Sequence, residues 1–225
     1  MAPAPTAPDA LILHGYWRST AAWRVRLALA AKGLDATHVP VNLLTGSQGS
    51  AEHRALNPQG LVPVLIDGSQ AAGPAVLNQS LAIIEYLDER FPAPPLLPAD
   101  PVGRALVRGA ALVIAAEVHP LGNLRVQRWL KQEMCRSDAE VTRWLHHWMG
   151  NGLAALEAFA ARHGGGFLFG EAVTLADLCL VPQLYNARRF GLPLDDWPRL
   201  LAVEAHVAVQ PWATEASPEN QPDSV

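Results

Sequence analysis

Three groups of polar side chains in this 225-residue sequence have the types and spacing to hold an anion. The first is Arg18-Ser19-Thr20, between an apolar run (Leu11–His14, ended by Gly15) and a helix-patterned run from Thr20 to Lys32. A helix N-terminus offers unpaired N–H groups and about half a positive charge, and a hydroxyl there adds a hydrogen bond to a bound anion. Serine and threonine also lead the N-cap preference, so taken alone capping is the plainer reading, with Ser19 or Thr20 as the cap and Gly33 as the stop. The second group is Gln79-Ser80, which opens a helix-patterned run to Phe91 and is equally readable as anion site or cap. The third is a set of arginines, Arg18, Arg125 and Arg189, whose planar forks match carboxylates. His119 and Asn123 are four apart, which places them on one face of the first long helix of the helical region. Arg125 then points away from Asn123, unless Pro120 and Gly122 kink the segment. Each has a bland alternative: Arg188 and Arg189 complement a helix C-terminus, His119 is structural, and Arg125 is a solvated charge. Thr174-x-x-Asp177 before an apolar run is a capping box and is assigned to folding. No His/Cys cluster has metal-ligand spacing, so no metal is expected.

These residues need elements to position them. Residues 1–9 are Ala/Pro-rich and read as disordered. Strands are predicted at Leu11–His14, Thr37–Val41, Leu61–Ile66 (interrupted by Pro63) and Val76–Asn78, with helices at Thr20–Lys32 and Ser80–Phe91 and a short one between. The order β-α-β-α-β-β-α within residues 10–91 describes a small mixed sheet flanked by helices. A proline-rich linker, residues 92–101, leads to a helix-periodic region, residues 102–213, with turn signals at Gly150-Asn151, His163–Gly166 and Gly191–Pro193. Residues 214–225 read as a polar, loosely held tail. Trp23, Trp129, Trp144, Trp148, Trp197 and Trp212 read as packing residues.

Half the residues are hydrophobic, and 17 basic against 21 acidic residues give a formal charge of −4. That balance provides no broad basic surface for nucleic acid. Two cysteines, Cys135 and Cys179, argue against a disulfide framework and for a reducing compartment. The opening MAPAPTAPDA lacks the pattern of a signal peptide, and no apolar run approaches the roughly 20 residues of a membrane span. A cytoplasmic protein is expected.

The element order and five strings resemble the zeta class of the glutathione transferases, which includes isomerases of maleylacetoacetate and maleylpyruvate. The strings are YWRSTAAWRVRLALAAKG (Tyr16–Gly33), NPQGLVPVL (Asn57–Leu65), NQSLAIIEYLDE (Asn78–Glu89), HPLGNLRV (His119–Val126) and TLADLCLVPQLYNARRF (Thr174–Phe190). The likeness covers nearly all of residues 10–212, and the terminal Gln221–Asp223 is also familiar. The VP and QS pairs are shared widely in the superfamily; WRS…WRVR, HPLGN and NARRF are more specific to the zeta type.

The resemblance implies a glutathione-transferase fold, with an N-terminal thioredoxin-like α/β domain and a C-terminal all-α domain, glutathione as cofactor, and a homodimer. It implies that Ser19, with Thr20 and Arg18, steadies a glutathione thiolate. It implies that Val62 before a cis Pro63 pairs with the cysteinyl backbone, that Gln79 and Ser80 bind the γ-glutamyl carboxylate, and that Asn123 adds a cofactor contact. Arg18, His119, Arg125 and Arg189 are the implied receptors of a small dicarboxylate substrate. The implied reaction is cis–trans isomerisation of a maleyl acid. One departure stands out: the zeta pattern after the arginine is serine, serine, cysteine, and here it is Ser19, Thr20, Ala21. A mechanism needing a protein thiol at that spot is excluded, and with it a disulfide reductase. A general conjugating or dehalogenating transferase remains an alternative, as does a non-catalytic binding protein, which Ala21 favours.

Overall fold

The computed structural model describes residues 11–224; the N-terminal segment read as disordered lies outside the described residues. Among the described residues two compact units are found, residues 11–94 with 211–224, and residues 95–210.

The first unit is built on a four-stranded sheet of order β2-β1-β3-β4. Strand β1 (Leu11–Gly15) runs parallel to β2 (Thr37–Pro40), and the crossover between them is helix α1 (Thr20–Ala31). Strand β3 (Val64–Asp67) is antiparallel to β1, with His14 opposite Val64 and Leu11 opposite Asp67. It begins at Val64 and not at Leu61, because Pro63 has no N–H to give a ladder and its peptide bond is cis. Strand β4 (Ala75–Asn78) completes a hairpin with β3. The turn between them is pinned by the buried Asp67 carboxylate, which accepts from the Ser69 amide and hydroxyl, Gln70 and the Tyr86 hydroxyl. Helix α2 (Ala51–Leu56) precedes β3, helix α3 (Ser80–Arg90) follows β4, and α3 packs against α1. Ten of the twelve α1 residues are buried, Thr20 to Leu29, including Arg24 and Arg26. The helix stops as expected: Gly33 takes φ +63, and Leu34 N–H reaches back to the Leu29 carbonyl.

The second unit is helical: α4 (Pro101–Leu112), a π-helical segment (Val113–Val118), α5 (His119–Leu121), α6 (Leu124–Gln132), α7 (Asp138–His163), α8 (Leu175–Arg189) and α9 (Pro198–Ala208). The sequence reading expects a turn at Gly150-Asn151, but α7 runs through it. Glycine lowers helix stability by about 1 kcal/mol without forbidding the helix. Gly152, two residues on, is required for packing, since a Cβ there would lie 2.2 Å from Val118 Cγ2. Helix α8 is buried along most of its length. Its capping box is present: Asp177 accepts from the Thr174 amide and hydroxyl and, with its other oxygen, from Leu168 N–H. Burial pushes the Asp177 carboxyl up to about 6, against the pull of those hydrogen bonds. Trp23 and Trp197 are buried, and Trp129 is exposed on α6, which buries none of its residues within the chain.

Two further differences from the sequence reading arise here. By length and composition the helical stretch Pro101–Gln132 is apolar enough to cross a membrane, which the reading does not anticipate; its buried residues serve as the packed face of α4 and the π-helical segment, against α7 and α8. The polar tail is not loosely held. Helix α10 (Pro211–Glu215) packs on α1, and Ala216, Pro218 and Gln221 are buried in the first unit. Polar composition hid this because a few small apolar residues, Ala213, Ala216 and Pro218, are buried, and hydrogen bonds to backbone groups hold the rest.

Candidate active site

The first candidate group forms at the C-terminal end of β1. The N-cap of α1 is Ser19 and not Thr20: Ser19 is extended (φ −70, ψ 115), and its Oγ accepts from Ala22 N–H at 3.3 Å. Thr20 is the first helical residue and is buried. The cap leaves the Ser19 hydroxyl proton available, because accepting uses a lone pair and not the O–H. Ser19 is half-buried, and its N–H donates to the Tyr16 carbonyl at 2.9 Å, closing a turn that presents Arg18. The Arg18 guanidinium lies 5.1 Å from the centre of the Trp17 ring, which braces the side chain by stacking. Ala21 is buried, so the position that holds cysteine in the zeta pattern supplies only a methyl group here. Capping and anion binding therefore coexist at Ser19.

The second group lies at the N-terminus of α3. Gln79 holds a φ of 68, a conformation that non-glycine residues rarely adopt and that marks functional sites. Its exposed side chain donates to Gln59 at 2.8 Å. Ser80 is buried and its Oγ accepts from Arg24 Nη1 at 3.3 Å. That bond leaves the Ser80 proton to be donated elsewhere and brings a buried guanidinium behind the helix N-terminus, which suits a carboxylate. Arg24 was not singled out from sequence. Its one sequence signal, shared with Arg26, is an arginine within an otherwise apolar helical run, and that does not say what it meets. Val62 is half-buried ahead of the cis Pro63, and among the described residues its backbone N–H and carbonyl take no hydrogen bond. A backbone with both groups open is what a peptide-like ligand pairs with. Glutathione, with a thiol, a peptide backbone and a γ-glutamyl carboxylate, fits Ser19, Val62 and Ser80 in kind.

The helical unit corrects one expectation. His119 and Asn123 do not share a helix face, because the helix ends at Leu121 and Asn123 is extended (φ −64, ψ 148) as the N-cap of α6. Pro120 and Gly122 end the helix here, and the Asn123 side chain accepts from Arg125 N–H at 3.1 Å. His119 is half-buried at the start of α5, and Arg125 is exposed in the first turn of α6. Arg189 is exposed in the last turn of α8, where Nη2 donates to Asn186 at 2.8 Å and the guanidinium sits 4.4 Å from the Phe190 ring centre. Its neighbour Arg188 is ion-paired with Glu204.

Comparisons with known proteins agree with this geometry. The N-terminal domain model of glutathione S-transferase matches residues 13–95, and the C-terminal domain model matches residues 142–206. A probable maleylacetoacetate isomerase of Vibrio cholerae is 45% identical over 216 residues, covering 95% of this chain and 98% of that protein. A holo maleylpyruvate isomerase structure, described as a bacterial glutathione S-transferase of the zeta class, superposes with a TM-score of 0.90 at 39% identity, covering 95% of this chain and 99% of that one. The maleylacetoacetate isomerase of Anaeromyxobacter dehalogenans 2CP-1 with glutathione in its active site gives a TM-score of 0.87 at 42% identity, with 96% and 100% covered.

Proposed function

Because the chain belongs to the zeta class of the glutathione S-transferase family, we propose that it is a glutathione-dependent cis–trans isomerase of a maleyl dicarboxylate, maleylpyruvate or maleylacetoacetate, in aromatic-compound catabolism. The observation that carries the mechanism is the Ser19 cap, whose hydroxyl proton remains available beside the N-terminus of α1. Bound glutathione supplies a thiolate able to add reversibly to an electron-poor double bond, so that the bond can rotate. Ser19 donates to the sulfur and, with the helix N-terminus, favours its charged form. Arg18 grips a substrate carboxylate and faces the charge that develops next to the double bond. Val62 holds the tripeptide backbone beside Pro63, and Gln79 and Ser80, the latter backed by Arg24, hold its γ-glutamyl end. Positioning of this kind is worth several kcal/mol. In the helical unit, substrate roles for His119, Arg125 and Arg189 and a cofactor role for Asn123 are supported by the family resemblance and, for the two arginines, by their exposure.

Turnover of both maleyl acids, with and without glutathione, tests the reading against conjugation of a generic aromatic electrophile. Isomerisation that requires glutathione without consuming it is the expected result. Conjugation alone would make the chain a general transferase, and failure to bind millimolar glutathione would make it a binding protein.

A homodimer is part of the same reading. Val102 and Leu112 on α4 are exposed, and only 28% of the most apolar window in Pro101–Gln132 is buried within the chain. Apolar surface of this extent suits burial against a second copy. A cytoplasmic location is supported by Cys135 and Cys179, neither of which is joined in a disulfide.

A further inference from the structure

The turn that carries Arg18 and Ser19 is held by the other end of the chain. Trp17 N–H donates to Asp223 Oδ2 at 3.1 Å, across 206 positions of sequence. The Trp17 carbonyl accepts from Arg26 Nη2 at 2.8 Å, and the Tyr16 carbonyl, already bonded to Ser19 N–H, accepts from Arg26 Nη1 at 3.5 Å. The third nitrogen of that guanidinium, Nε, donates to the Ala216 carbonyl at 3.1 Å. Arg26 is buried, and its fork therefore ties the turn to the C-terminal segment inside the unit. Burial lowers Arg26 to about 10, opposed by Asp223 and Glu219, which leaves it charged at neutral pH. The segment is itself braced: Gln221 Nε2 donates to the carbonyls of Glu215 and Ser217.

The carboxylate of this segment and the guanidinium tied to it take an N–H and two carbonyls of the turn that leads into Ser19. We propose that the C-terminal segment Ala216–Asp223 is a positioning element of the thiolate site, with Asp223 and Arg26 as positioning residues that fix the Tyr16–Ser19 turn. Displacement of a reacting group by about 1 Å costs on the order of 10²-fold in rate, so loosening this turn is felt in turnover before it is felt in binding. The inference rests on the role of Ser19 proposed above.

The test compares Asp223→Ala, Asp223→Asn, Arg26→Lys and Ser19→Ala in the full chain. The readouts are kcat and KM per folded molecule, melting temperature, and the thiolate fraction of bound glutathione from its ultraviolet absorbance. Asp223→Ala should lower kcat by about 10- to 100-fold and lower the thiolate fraction, with glutathione KM changed by less than about threefold. Asp223→Asn keeps an oxygen for Trp17 N–H and should recover most of the loss. Arg26→Lys keeps the charge but not the fork, and should lower kcat like Asp223→Ala. If kcat per folded molecule and the thiolate fraction are unchanged in Arg26→Lys, the inference is overturned, even if Asp223→Ala does not fold. If Ser19→Ala lowers the thiolate fraction and the Asp223 and Arg26 variants do not, only this inference fails; if Ser19→Ala also leaves it unchanged, the reading of the site fails.

Discussion

At Ser19 one side chain serves two purposes, and substitution can part them. Its lone pair satisfies Ala22 N–H, a contribution of about 1 kcal/mol, while its proton is free for the sulfur. Ser19→Ala should lower the melting temperature by about 2–4 °C and turnover by about 10²-fold or more. Ser19→Asp keeps the cap but sets a second negative charge beside the thiolate, so stability should return without turnover. Recovery of both by Asp would show that the residue only caps. Arg18, braced on Trp17, is the fork best placed for a carboxylate in the first unit. Arg18→Lys retains charge and loses bidentate geometry, and KM for the maleyl acid should rise by about tenfold. Steady-state kinetics showing an unchanged KM would remove Arg18 from substrate binding.

Helix termini decide most of the remaining site chemistry. At the start of α3, Ser80 receives a bond from the buried Arg24 and can pass its own proton outward. Ser80→Ala should weaken glutathione binding by about tenfold by calorimetry, at nearly constant kcat once saturated. At the start of α8, Asp177 belongs to stability. Its folded value, about 6, lies above the ordinary 3.8, so the folded state holds the proton more tightly and loses stability as pH rises through that window. Asn at 177 has no such proton. The unfolding free energy of the wild type should therefore fall relative to Asp177→Asn by roughly 3 kcal/mol between about pH 4 and pH 7, although the variant starts lower for want of a second acceptor. A difference that does not vary with pH would show that Asp177 stays ionised. The T-x-x-D box was legible because a cap and its partner are three residues apart. The break at Asn123 was not, since Pro120 and Gly122 suggest a kink without fixing which residue becomes extended.

On the scale of the molecule, apolar residues left uncovered on α4 are the feature that bears on assembly. Sedimentation should give twice the chain mass, and Val102→Glu, at a position 69% exposed and so harmless to the fold, should shift the population towards single chains. A single-chain mass for the unmodified protein at micromolar concentration would reject the homodimer. The tail matters at the same scale. Composition alone makes residues 214–225 polar and loosely held, yet Ala216, Pro218 and Gln221 are buried in the first unit.

What the sequence determined alone is everything governed by near neighbours: the β-α-β-α-β-β-α order, the stop at Gly33, the Thr174 box and the helix opening at Ser80. Each rests on bonds between groups at most a few residues apart, so a pattern records them. Tertiary structure decided that Ser19 caps in place of Thr20, that Arg24 stands behind Ser80, and that Asp223 and Arg26 hold the turn before Ser19. The Arg24–Ser80 and Trp17–Asp223 partners are 56 and 206 residues apart. No period links such positions; they meet only because the sheet and its helices bring distant backbone together and close out the water that would otherwise satisfy it.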